Sequence, residues 1–235
     1  MRMRVGIIGA GRIGGNAARL LAAAGHEVKL SFARDRSQLT ALAGEIGGRA
    51  SAGTAAEAAA FGEVVIFAVP WDVIPHALEQ AGDLAGKIVI DTTNQFGSGP
   101  MPPAGQTAAQ FNAARMPGAR YTKSFNTLTA GFQAEAAGRQ GADRVVQWIC
   151  GDDNEAKQTV ARLIDDAGFA PVDLGGTARC AVMEAPRRTG AVYGEEYRLA
   201  EARAVVEAVR AGQPIPPTPQ YQPGDRRSNG KQPMN

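Results

Sequence analysis

Cysteine and histidine are scarce in this chain, two of each among 235 residues. Cys150 and Cys180 lie far apart, with no CxxC pair and no neighbouring histidine, so neither a metal site nor a disulfide is expected. Both are read as packing residues. Aromatic residues make up only 6%, which argues against an aromatic-rich β-sandwich; abundant Ala and Gly favour helices packed closely on a sheet. No apolar run approaches the roughly 20 residues of a membrane span. The N-terminus enters a strand pattern at once, without the apolar stretch of a signal peptide, so a cytoplasmic protein with no membrane partner is expected. A net charge of +2 provides no field for a polyanion, and nucleic acid is not an expected partner. No Ser/His/Asp set or nucleophile elbow is present. The length allows one large domain with a small appendage.

What is present is an alternation of strand and helix patterns. Met3 to Ile8 is a short β-branched run, and Arg12 to Ala24 reads as a helix stopped by Gly25. Glu27 to Phe32 predicts a second strand and Ser37 to Ile46 a second helix; Thr54 with Glu57 forms a capping box that opens a third. Val64 to Val69 and Lys87 to Asp91 are apolar enough to be buried parallel strands, separated by a helix from Val73 to Ala81. A Gly/Pro-rich loop from Gln95 to Gly105 interrupts the pattern. Strands follow at Arg120 to Ser124 and Val145 to Cys150, then a helix from Glu155 to Ala167 capped by Gly151, Asp152 and Asp153, and a last strand at Ala170 to Leu174. The fold class predicted is α/β, a Rossmann-type doubly wound and mainly parallel sheet with a short C-terminal extension. Residues 1–177 are read as the dinucleotide-binding domain and 178–235 as a C-terminal helix, Arg198 to Arg210, with a polar tail. The tail, Gln213 to Asn235, is too polar to build a core alone; it either lacks fixed structure or lies across another surface, such as the second subunit of a homodimer.

Gly9-Ala10-Gly11-Arg12-Ile13-Gly14 fits GxGxxG, directly after the first strand and at the start of a helix, where the dinucleotide fingerprint requires it. Gly9 permits the tight turn, Gly11 lets backbone approach a pyrophosphate, and Gly14 lets helix and strand pack closely. Gly9, Ala10, Gly11, Arg12 and Ile13 are thus candidate cofactor contacts at a helix N-terminus. The second strand ends Ser31-Phe32-Ala33-Arg34-Asp35. With Arg34 at the ribose, a 2′-phosphate gains a bidentate cation and Ser31 an added donor role, and NADP(H) is preferred; with Asp35 there, NAD is. The strand tip favours Arg34, since Asp35 is well placed to begin the next helix.

The sequence resembles the coenzyme F-420-dependent NADP oxidoreductase family through VGIIGAGRIGGNAARLLAAAGHEV, FAVPW (Phe67 to Trp71), IDTTN (Ile90 to Asn94), KSFNT (Lys123 to Thr127) and CGDDNEAK (Cys150 to Lys157). These matches span about residues 3–180, and the NADPH domain of membrane metalloreductases is similar in layout. Two features depart from the family pattern: Phe32 and Ala33 stand where Ser or Asn is common, and no apolar C-terminal helix follows Arg179. The resemblance implies an NADP(H)-dependent oxidoreductase acting on a small redox substrate of deazaflavin or flavin type. It implies that Val69 and Pro70 pass beside the cofactor, that Asn94 lies near the nicotinamide ribose, and that Phe125, Asn126 and Thr127 face the nicotinamide and the second substrate.

In doubly wound sheets ligands bind outside the carboxyl ends of the strands, which brings Ala68 to Trp71, Thr92 to Asn94 and Ser124 to Thr127 to one crevice. Phe125 reads equally as core, and Asn126 also as a turn residue. His26 is read as structural, His76 as a surface residue, and Asp152 and Asp153 as helix caps. No catalytic acid or base is singled out. Two other readings stand beside hydride transfer to a flat acceptor. One is an NADP(H)-binding redox sensor without turnover. The other is an imine or ketone reductase, which needs a large helical C-terminal domain that the residues after Asp173 are too few to build.

Overall fold

The structure, a computed structural model, describes residues 2–32 and 35–221. Strands β1 (Arg4–Ile8), β2 (Glu27–Ser31), β3 (Ala50–Ala52), β4 (Val64–Phe67), β5 (Ile88–Asp91), β6 (Arg120–Lys123), β7 (Val146–Gly151) and β8 (Ala170–Gly175) form one sheet. Their order is β3-β2-β1-β4-β5-β6-β7-β8. Every neighbouring pair is parallel except β6 with β7. This is the expected Rossmann-type sheet. β4 and β5 are buried at every position, because helices cover both faces of a parallel sheet and leave no polar side.

One layer holds α1 (Arg12–Ala23), α2 (Arg36–Ile46), α6 (Ala130–Ala136) and α7 (Asn154–Asp166). The other holds α3 (Ala55–Phe61), α4 (Ile74–Ala81), α5 (Ala108–Ala114) and α8 (Leu199–Ala211). Small residues set the spacing of the second layer: a Cβ at Gly6 of β1 would lie 2.1 Å from the Ala58 carbonyl oxygen of α3. Cys150 and Cys180 are both free, buried and in the same core cluster. Burial and the neighbouring Cys150 push the Cys180 thiol well above its ordinary range.

Three elements depart from the sequence reading. β3 has only the residues Ala-Ser-Ala, with no β-branched signal, and pairs as an edge strand through the neighbouring β2. α5 follows the Gly/Pro loop with a capping box of Thr107 and Gln110, and α6 starts at the Thr129 cap. After β8 the chain does not leave the sheet. Met183, Val192, Tyr197 and Val205 are buried in the same layer as α3 and α4, and the Tyr197 ring meets Trp148 of β7 edge-on at 5.3 Å. As far as Tyr221, the polar tail lies on its own chain. Ile215 packs on the core, and the Tyr221 hydroxyl accepts from the Arg198 N–H (3.1 Å) and donates to Glu201 (3.2 Å). Residues 222–235 lie outside the described part.

The Gly6–Ala58 approach leaves no room for a methyl group. Gly6→Ala should therefore destabilise the fold by about 1–3 kcal/mol through forced separation of α3 from β1. Denaturant midpoints at constant m-value measure this, and an unchanged midpoint would contradict the packing described.

Candidate functional site

The glycine turn joins β1 to α1 at the point where the sheet grows in both directions, with β2 on one side of β1 and β4 on the other. Gly9 has φ +104, and a Cβ there would lie 2.3 Å from the Ala68 carbonyl oxygen; one at Gly14 would lie 2.0 Å from the Gly9 oxygen. Both positions therefore demand glycine for reasons internal to the fold. Gly11 differs: a Cβ there would meet nothing within 4 Å. Gly11 is also the N-cap of α1, whose first turn has no side-chain cap and no acidic residue. A helix end with uncapped N–H groups, open space before it and glycine at the nearest point fits an anionic ligand such as a pyrophosphate.

The neighbouring strand end corrects one expectation. Ser31 is fully buried and its hydroxyl donates to the Ile7 carbonyl (2.8 Å), so its side chain serves β1 rather than a 2′-phosphate. Its carbonyl oxygen accepts from the N–H groups of Gly9 (3.1 Å) and Ala10 (3.2 Å), which fixes the turn from below. Arg34 lies outside the described residues. Asp35, the alternative ribose partner, caps α2 by accepting from the Ser37 N–H (2.8 Å). The hydrogen bonds from Ser37 hold its carboxyl below the usual range.

Two clefts meet at this turn. The first, about 820 Å³, is lined by Gly9, Gly11, Phe32, Leu39 and His76, among others. The rings of Phe32 and His76 lie 5.8 Å apart, and His76 is largely exposed. The second cleft, about 800 Å³, is lined by Arg12, Thr92, Asn94, Phe125, Asn126 and Tyr193, among others. Gly11, Ala68, Val69 and Pro70 line both, so the pair forms one continuous groove over the carboxyl ends of β1 and β4. Ile13 lines the second cleft. His26 is buried, with Nδ1 accepting from the Met3 N–H, and is structural.

The FNT segment enters the second cleft through a kink. Phe125 has φ 56, a region that bulky residues rarely adopt. Gln133 Nε2 supports the kink by donating to the Phe125 (3.0 Å) and Leu128 (2.9 Å) carbonyls. Phe125 is itself 1% exposed and packs edge-on against Phe169, so most of its ring belongs to the core. Asn126 and Asn94 bond reciprocally: Asn94 Nδ2 donates to the Asn126 carbonyl (2.9 Å), and Asn126 Nδ2 donates to Asn94 Oδ1 (3.1 Å) and the Met183 carbonyl (2.7 Å). Asn126 Oδ1 and Thr127 Oγ1 are buried without a hydrogen-bond partner. Trp71 is buried, and its Nε1 donates to the Pro100 carbonyl (3.1 Å), tying the Gly/Pro loop to the end of β4. Asp153 caps α7 through the Ala156 N–H (3.0 Å) and Asp152 accepts from the Thr177 N–H and hydroxyl, so the acidic pair is structural.

Beneath the groove lies a network that the sequence reading did not single out. Asp91 and Lys123, both fully buried at the ends of β5 and β6, form an ion pair at 3.4 Å. Asp91 also accepts from the Tyr121 hydroxyl (2.5 Å), Asn112 Nδ2 (2.9 Å) and the Thr93 N–H (2.7 Å). Lys123 Nζ donates to the Thr93 carbonyl (2.7 Å). Burial raises the Asp91 pKa, but Lys123 and these donors outweigh it, and the carboxyl is held below its usual range. Burial and Asp91 push the Tyr121 hydroxyl well above its ordinary range. The signal in the sequence was a charge closing each of two otherwise well-buried strands, IVID and RYTK.

Residues 4–95 match the family model described as NADP oxidoreductase, coenzyme F420-dependent. A hypothetical protein, SMa0349 from Sinorhizobium meliloti, is similar at 31% identity and TM-score 0.73, covering 84% of this chain and 96% of that one. A protein of Arthrobacter sp. FB24 described as an F420-dependent NADP-reductase is similar at 28% identity and TM-score 0.64, covering 76% of this chain and 87% of that one. Metalloreductase STEAP3 of Rattus norvegicus is 30% identical over 182 residues, 77% of this chain but 36% of that protein. The chain thus spans about a third of the length of that metalloreductase. No helix among the described residues is long and apolar enough to cross a membrane.

Removing the cation from the buried pair should be costly. Lys123→Met leaves Asp91 ionised and unpaired, with an expected loss of about 3–5 kcal/mol at pH 7. In the wild type the lowered Asp91 pKa stabilises the fold above the ordinary carboxylate pKa of about 3.9, an effect lost as pH falls through the lowered value. In the variant the sign reverses: burial raises the pKa, and the deficit shrinks as pH falls from 7 to 5. Urea unfolding at both pH values checks this, and a deficit below about 1 kcal/mol at pH 7 would place the pair among ordinary surface ion pairs.

Proposed function

The chain belongs to the coenzyme F420-dependent NADP oxidoreductase family, and on that premise we propose that it transfers hydride between NADP(H) and a flat acceptor of flavin or deazaflavin type. The observation that carries this reading is the open space at Gly11, before an uncapped helix, in a groove that continues past Val69 and Pro70 to Asn94 and Asn126. When bound, NADPH supplies the hydride, and the protein supplies binding and orientation.

In this reading the N–H groups of Gly11, Arg12 and Ile13 take the pyrophosphate, with Gly9 and Ala10 shaping the turn. Ala68, Val69 and Pro70 run beside the dinucleotide, Asn94 holds the nicotinamide ribose, and Arg34 takes the 2′-phosphate. Ser31 acts only through the turn it supports. Phe125 places Asn126 and Thr127 toward the nicotinamide and the acceptor, which is the task their kinked backbone suits. Arg12 is the one charged side chain among the described residues lining the second cleft, which holds no carboxylate or imidazole there and a single phenol, Tyr193. Transfer between two rings takes its one proton from solvent; it needs the reacting atoms held at near-attack distance, where misplacement alone costs about a hundredfold. Imine or ketone reduction, by contrast, calls for a proton donor at the acceptor.

Gly11→Ala separates binding from folding. Its methyl meets no protein atom, so the melting temperature should stay nearly unchanged while NADPH affinity falls about tenfold or more. A variant that binds NADPH like the wild type would move the pyrophosphate elsewhere. Arg34→Ala should weaken NADPH by about ten- to a hundredfold and spare NADH; equal losses for both would contradict its assignment to the 2′-phosphate. NADPH oxidation measured with flavin, deazaflavin and ferric chelates tests turnover itself. Tight NADPH binding with no turnover on any acceptor would indicate a sensor instead.

A further inference from the structure

One wall of the second cleft comes from a part of the chain that the glycine turn does not explain. After β8 the backbone runs back over the ends of β5 and β6. Met183 O accepts from Asn126 Nδ2 (2.7 Å), Ala185 N donates to Asn94 Oδ1 (3.3 Å), and Gly194 N donates to the Thr127 carbonyl (2.8 Å). These bonds deliver Tyr193 to the cleft, where its ring lies 6.1 Å from that of Phe96 and is tilted by 56°. Phe96 arrives from the Gly/Pro loop that Trp71 ties down at Pro100. Two segments remote in sequence thus bring two aromatic rings together beside Asn94 and Asn126.

Phe96 is 51% exposed, and of the three exposed large hydrophobics among the described residues, the others being Met101 and Leu199, it alone lines a cleft described above. An apolar ring left in water at a cleft mouth gains from a ligand that covers it. Tyr193 is nearly buried, and burial raises its phenol above the ordinary range, so it presents an uncharged face at neutral pH. Two charges of the segment around Tyr193 are already committed. Arg187 pairs with Glu195, and Arg188 donates to the carbonyls of Glu184, Pro186 and Ala181. Arg12 stands at the first residue of α1, beside the pyrophosphate turn.

We propose that Phe96 and Tyr193, packed on each other, clamp the acceptor from one side at the mouth of the second cleft, and that the acceptor is recognised as an uncharged flat heteroaromatic ring, without an anchor for an anionic tail. The inference rests on the hydride-transfer reading above. In the step it serves, the C4–H bond of the dihydronicotinamide breaks and its hydrogen and electron pair form a new bond to the acceptor ring. NADPH is oxidised to NADP+, the ring is reduced by two electrons, and one proton enters from solvent. Asn126, which lines the cleft, carries a buried Oδ1 without a hydrogen-bond partner.

Riboflavin and FMN share one ring system and differ by a phosphate, which makes them the test pair. Quenching of flavin fluorescence by the NADP+-saturated protein gives the two dissociation constants, expected to agree within about threefold. Phe96→Ala should weaken riboflavin binding by about tenfold and leave the NADP+ dissociation constant unchanged. Tyr193→Leu should act in the same direction, while Tyr193→Phe, which keeps the ring and the packing, should bind like the wild type. FMN binding more than about tenfold tighter than riboflavin would reveal a phosphate anchor and overturn the proposal. So would wild-type riboflavin affinity in Phe96→Ala, or no flavin binding at all. If flavins are reduced while Phe96→Ala is silent, the clamp alone fails; if NADPH is oxidised by a cyclic imine and by no flavin, the hydride-to-ring reading fails with it.

Discussion

The groove depends on an ion pair that never meets water. Taking a carboxylate and an ammonium out of solvent costs several kcal/mol per ion, repaid only when their remaining hydrogen bonds are also satisfied. Asp91 and Lys123 meet that condition through Tyr121, Asn112 and both backbone groups of Thr93. The consequence is positional. Asp91 ends β5 three residues before Asn94, and Lys123 ends β6 three residues before Asn126. The pair locks together the two strand ends from which the reciprocal Asn94–Asn126 contact departs. A site whose proposed task is to hold two rings at a fixed distance needs this kind of support from behind, because packing and hydrogen bonding beneath a site set how loosely it is held.

The opposite half of the groove is set by backbone rather than charge. Gly9 and Gly14 are glycines because Ala68 and the turn itself leave no room, and the Ser31 carbonyl fixes the turn through two N–H groups. Gly11 alone of the three faces open space, at the N-cap of α1. One half of the groove thus offers oriented N–H groups to anionic phosphates, and the other offers amides and aromatic rings with almost no charge. The division matches a reaction whose cofactor is charged at one end and reacts at an uncharged ring at the other.

Most of the sheet was legible in the sequence. VGII, VVIF and IVID are short apolar runs between turn residues, and the strand-turn-helix context of GxGxxG placed the groove. Other parts were hidden for physical reasons. β3 carries no side-chain preference and takes its pairing from β2. α5 was masked by the Gly/Pro loop before it, although its Thr107–Gln110 capping box is visible in the sequence. Ser31 sits where a phosphate donor belongs, and only the pleat, which turns its hydroxyl toward Ile7, removes it. Tyr193 could not be placed, since its position follows from single backbone bonds made by an irregular segment after β8. Local pattern reports periodic burial; it does not report which distant loops meet over a cleft.

The proposed reaction is direct hydride transfer from a dinucleotide on the glycine turn to a flat ring beside Asn126. The most direct measurement uses NADPH deuterated at one face of C4 and a 5-deazaflavin acceptor, whose reduced ring holds the transferred hydrogen on carbon, where it does not exchange with water. The account predicts that one deuterated face, and not the other, delivers its label to the deazaflavin, because a groove of fixed geometry presents a single face of the nicotinamide. Reduced deazaflavin carrying only solvent hydrogen, or label delivered equally from both faces, would contradict it.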